Sequence, residues 1–133
     1  MPKAIKFLTL ALSGALIIII CSLLQNVPAP AHGEYFFTEY LSRNYITYFA
    51  PFVFFLGGVA AGYFIRINPW LTGLLMISVF PLASIYEATV YRGSHNLIPF
   101  EFILHFVFSL PAVAGAYAAK YLIKLLPGKN RIS

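Results

Sequence analysis

The chain contains no aspartate; Glu34, Glu39, Glu87 and Glu101 are its four acidic residues. That absence excludes any site built on paired aspartates, and neither a nucleophile elbow nor a Gly-rich phosphate loop takes their place. A single cysteine, Cys21, excludes an internal disulfide and a thiolate metal cluster, and is expected to pack as a small apolar residue inside a helix. Charge of either sign is scarce, at 10% of residues, and no polar or low-complexity stretch is long enough to form a separate soluble domain.

What fills the chain instead is apolar. Of 133 residues 60% are hydrophobic, and the mean hydropathy is +0.81. A bilayer core about 30 Å thick needs roughly 20 apolar residues per helix. Four segments meet that requirement: Phe7–Leu24, Tyr45–Ile65, Trp70–Val90 and Leu97–Leu126. The expected fold is therefore all-α, a single domain over residues 1–133, with four transmembrane helices at about 5–25, 45–66, 69–91 and 97–126. Ala29-Pro30-Ala31 has the small residues of a signal-peptidase site, but the preceding apolar run exceeds a usual signal core, so the segment is expected to be retained. Ile20 before Cys21 argues against a lipoprotein signal.

The net charge of +5 follows topology rather than nucleic-acid binding. Lys3, Lys6, Arg66, Lys120, Lys124, Lys129 and Arg131 fall on one side of the four-span arrangement, and Arg43 and Arg92 on the other. This bias places both termini in the cytoplasm and sets the basic side against anionic lipid. Short loops and the lack of an N-x-S/T sequon fit a bacterial or archaeal inner membrane.

Between the first two spans, Pro28, Pro30 and Gly33 prevent helix, whereas the following residues favour it. Phe36, Phe37, Tyr40 and Leu41 share one helical face, with Glu34, Glu39, Ser42 and Arg43 largely opposite, as in a short amphipathic helix in the outer interface. Its aromatics, with Tyr45 and Tyr48, are expected to form an anchoring belt. Gly58 and Gly62 in the second span should admit a neighbouring backbone closely, and Ala112, Ala116 and Ala119 form a small-residue face in the fourth. Pro51, Pro81 and Pro111 are expected kinks.

Every acidic residue and every histidine falls on the outer side of this arrangement. Glu87, near the end of the third span, and Glu101, near the start of the fourth, are expected at matching depth, roughly 6 Å below the surface. His105 shares the face of Glu101 one turn deeper, and that face continues through Ser109, Ala112, Ala116 and Ala119. Glu87 shares its own face with Gly73, Ala83, Ser84 and Tyr91, and the two faces are expected to meet. The linking Arg92-Gly93-Ser94-His95-Asn96 is accounted for by turn and capping chemistry, except for Arg92 and His95.

Several chemistries suit this cluster. Glu87, Arg92, Glu101 and His105 could form a buried network, with Arg92 pairing with either glutamate. Glu87, His95, Glu101 and His105 could hold Zn²⁺ or a similar divalent ion, although Glu-x-x-x-His is not the HExxH of zinc peptidases. Glu87 and Glu101 could handle protons in a small transporter, but the midplane lacks charge. His105 or Glu101 could serve as base in an enzyme acting on lipid, whereas haem would need a second deep histidine. The first of these is favoured. It implies a non-enzymatic accessory or assembly protein that binds lipid, a membrane-protein partner or a second copy of itself; metal binding, proton-coupled transport or membrane-embedded catalysis is the alternative.

Overall fold

The computed structural model describes residues 2–47, 49–92 and 98–125. Among these there are six helices and no strand. They are α1 (Lys3–Gln25), α2 (Phe36–Tyr45), α3 (Phe49–Phe64), α4 (Pro69–Met76), α5 (Val79–Val90) and α6 (Ile98–Leu125). α1 and α6 are each long and apolar enough to cross a membrane, and up to four spans result if α2 with α3, and α4 with α5, are each one bent span.

α4 and α5 form the rod expected at 69–91, bent by 45° at Ile77 and Ser78. The cause is Pro81, which has no N–H to give the Ile77 carbonyl. Phe80 donates to that carbonyl instead, at 3.0 Å, which tightens the turn and redirects the axis. Pro51 makes no kink, because it lies in the first turn of α3, where a missing N–H costs nothing. Pro111 lies inside the continuous α6. There the Tyr45 hydroxyl donates to the Phe108 carbonyl at 2.5 Å, and Ser109 Oγ donates to the Phe106 carbonyl at 2.6 Å. These two carbonyls flank that of Val107, which Pro111 leaves without its helical donor.

Small residues set the packing. A Cβ at Gly58 would lie 2.1 Å from the Ala112 oxygen, and one at Gly62 2.8 Å from that of Ala116, so α3 and α6 run parallel with their backbones in contact. α1 meets the α4–α5 bend in the same way, with a Gly14 Cβ falling 1.6 Å from the Met76 oxygen. Lys6 Nζ donates to the Ile65 carbonyl at 3.0 Å, which ties the start of α1 to the end of α3.

Tyr45 departs from the expected belt. It is buried, with ring centroids 5.3 Å from Phe54, 5.5 Å from Phe80 and 4.3 Å from Phe108. The ring is drawn inward because its hydroxyl has a carbonyl to satisfy in α6. Tyr48 lies outside the described residues. At the same end, Gln25 Nε2 donates to the carbonyls of Cys21 and Asn44, at 3.1 and 3.2 Å, linking α1 to α2. Cys21 is fully buried, as expected.

Candidate functional site

Glu87 is buried in α5 and its carboxylate is directed at the start of α2. Oε1 accepts the Phe37 N–H at 2.5 Å; Oε2 accepts the Thr38 N–H at 3.2 Å and the Thr38 hydroxyl at 2.5 Å. The hydroxyls of Thr38 and Ser84 are 3.5 Å apart. α2 has no side-chain cap of its own, since Tyr35 stands in the N-cap position. The first N–H groups of a helix lack internal partners and form the positive end of its dipole, so a carboxylate from another helix satisfies both needs. The same donors offset the cost of burying the charge.

Glu87 thus serves α2 rather than simply facing α6 as expected. The difference arises because α5, beyond its bend, packs against α2, whereas α3 and α4 take most of the small-residue face of α6. Sequence reasoning missed Phe37 and Thr38 as partners. A signal was present: Gly33-Glu34-Tyr35 offers no good capping side chain before a strongly amphipathic helix.

His105 is buried with Ser109, Ala112, Ala116 and Ala119, so the expected inward face of α6 is realised. Its ring centroid is 5.8 Å from Phe80 and 6.0 Å from Phe102. Nδ1 has no hydrogen-bond partner among the described residues. Glu101 is partly buried one turn earlier, near enough to act on His105 electrostatically. Arg92 is exposed just after α5, and His95 lies outside the described residues with Gly93, Ser94 and Asn96. Among the described residues no three His, Cys, Asp or Glu side chains come together as a metal site requires.

A cleft of about 210 Å³ opens beside Glu87, lined by His32, Gly33, Phe36, Phe37 and Tyr91. His32 stacks on Phe36, with centroids 4.7 Å apart and planes inclined by 15°. Glu39 and Arg43 form an exposed ion pair on the other side of α2.

The described chain is thus an all-helical protein with helices able to cross a membrane and a buried carboxylate capping a short amphipathic helix. Compared with protein families, curated proteins and solved structures, it matches none.

Proposed function

We propose that the chain is a multi-pass protein of a bacterial or archaeal inner membrane, with four spans and both termini cytoplasmic. In this reading it is a non-enzymatic accessory or assembly protein that engages a membrane-protein partner, or a second copy of itself, through an outer surface built on α2. The observation that supports it is the engagement of Glu87: the most deeply buried carboxylate positions an amphipathic helix. Large apolar side chains at the surface, such as Leu12, Leu16, Leu23 and Leu122, suit lipid as the surrounding solvent.

The test is proximity cross-linking in membranes from a cysteine introduced on α2, Ser42→Cys, in a Cys21→Ser background. A defined adduct with a second protein or copy is expected, and adding Glu87→Ala should lower its yield while the chain stays membrane-inserted. No adduct, or full yield without Glu87, would sink this reading.

One observation supports the metal-binding alternative, namely the buried Nδ1 of His105 without a described partner. In that reading His105 and Glu101 would supply two of the ligands, whereas Glu87, engaged by Phe37 and Thr38, would not join them without leaving α2. Elemental analysis of the zinc-replete protein beside His105→Ala decides it, and an intact protein without stoichiometric metal rejects that alternative.

A further inference from the structure

At the end of the bundle opposite Glu87 lies a cavity of about 510 Å³ between the α3–α4 connection and the last turns of α6. Its walls divide by chemistry. Gly62, Ala116, Ile67 and Ile123 supply small and apolar surface, while Arg66, Lys120 and Lys124 supply three cationic heads. A second groove of about 310 Å³ runs on from it along Tyr117, Lys120, Tyr121 and Lys124.

Among the described residues these cations have no ion-pair partner. The ion pair of Glu39 and Arg43 lies on α2, and Lys120 and Lys124 have no hydrogen bond or ion pair with a described residue. Glu101, the carboxylate on the same helix, is nineteen residues before Lys120, about 28 Å along the axis and far outside ion-pairing distance. Lys6, by contrast, is engaged by the Ile65 carbonyl.

The position of Arg66 is built rather than incidental. It lies two residues beyond the end of α3 with φ of 53°, a left-handed conformation that residues other than glycine rarely adopt. Its Nε–H donates to the Tyr63 carbonyl at 3.1 Å, which fixes the root of the guanidinium and leaves its terminal nitrogens for a ligand. Asn68 and Pro69 bring the start of α4, the positive end of its dipole, to the same wall.

We infer that this cavity binds a phosphate-centred anion, and specifically the headgroup of an anionic phospholipid. Arg66 offers a planar fork to the phosphate, and Lys120 and Lys124 act as point charges at the rim. The choice of lipid over free phosphate rests on the apolar walls beside the cations, which give an acyl chain or glycerol backbone a surface that inorganic phosphate would not use.

This inference rests on the proposed residence in a bilayer, and the test separates the two. The full-length protein is reconstituted in nanodiscs of phosphatidylcholine, with or without phosphatidylglycerol, and lipid retained after transfer to detergent is counted by native mass spectrometry. Phosphatidylglycerol should be retained in preference to phosphatidylcholine. Lys120→Gln/Lys124→Gln should retain roughly tenfold less of it, whereas Lys3→Gln, a basic residue of α1 outside the cavity, should retain it fully. Lys120→Arg/Lys124→Arg should keep binding, and the wild-type preference is decisive by itself if the glutamine variant does not fold. Equal retention of the two lipids, or equal loss in Lys3→Gln, overturns the site while leaving bilayer residence intact. Failure to insert into either nanodisc overturns that residence. Free phosphate displacing phosphatidylglycerol at millimolar concentration overturns the lipid as the source of the anion.

Discussion

The carboxylate of Glu87 holds both the main-chain N–H and the hydroxyl of Thr38, a residue 49 positions earlier in the chain. Removing that acceptor strands partly buried donors at the start of α2. Glu87→Ala is therefore expected to cost about 3 kcal/mol or more, and Thr38→Val about 1–2 kcal/mol. Neutralising the exposed pair of Glu39 and Arg43 should cost less than about 0.5 kcal/mol. Unfolding in detergent measures all three. Hydrogen exchange locates the effect: the amides of Phe37 and Thr38 should exchange faster in Glu87→Ala, with those of α3 and α6 protected as before.

The glycines of the helix contacts predict a sharp positional contrast. A methyl group at Gly58 would meet the Ala112 oxygen at 2.1 Å, and one at Gly115 the Phe55 oxygen at 2.0 Å, both rigid backbone atoms. At Gly33 the nearest atom is 4.0 Å away. Gly58→Ala and Gly115→Ala are expected to destabilise by about 2 kcal/mol or more, through separation of α3 from α6, while Gly33→Ala stays within about 0.5 kcal/mol of wild type. Thermal unfolding of the three variants in one detergent checks the contrast.

These two cases mark what was legible in the sequence. Hydrophobic runs located α1 and α6 to within about two residues, because a long apolar helix leaves a continuous signal. Gly58, Gly62 and the alanines of α6 were legible as close-packing surfaces, and the 3.6-residue period turned His105 and Ser109 inward correctly. The same reasoning placed the start of the second span at Tyr45, where the structure ends α2, because aromatic residues suit an interfacial helix and a span equally well. The partner of Glu87 was not legible. A contact from a side chain to the backbone of a distant helix leaves no periodic trace, and sequence order favours pairing consecutive helices, whereas the bend before Pro81 directs α5 toward α2.

Tyr45 and Phe108 supply a third prediction. Tyr45→Phe removes only the hydroxyl that satisfies the Phe108 carbonyl beside Pro111, and should cost about 1 kcal/mol. Tyr45→Ala also removes a ring packed among Phe54, Phe80 and Phe108, and should cost about 3–5 kcal/mol. Replacing Pro111 by alanine restores a helical donor to the Val107 carbonyl and relaxes the turn, so Tyr45→Phe should cost less in that background. A double-mutant cycle by chemical unfolding measures the coupling, and strict additivity would separate the hydroxyl from the proline.

The last prediction concerns which ends of the helices share a side of the membrane. Lys6 is bonded to Ile65, and Arg66 shares a cavity with Lys120 and Lys124, so the start of α1, the α3–α4 connection and the end of α6 lie together. Glu34 belongs to the segment at the opposite end, which α1 leads into. Cys21 is fully buried and should resist a membrane-impermeant maleimide, which leaves single introduced cysteines as clean reporters. In intact cells Glu34→Cys should be labelled directly, and Lys3→Cys, Arg66→Cys and Lys124→Cys only after the membrane is opened. The exposed Arg66 discriminates most, because it falls on the side of Lys3 only if the chain crosses twice before it. Labelling of Arg66→Cys together with Glu34→Cys would reduce the bundle to fewer spans, and a wholly inverted pattern would reverse the orientation that the basic residues imply.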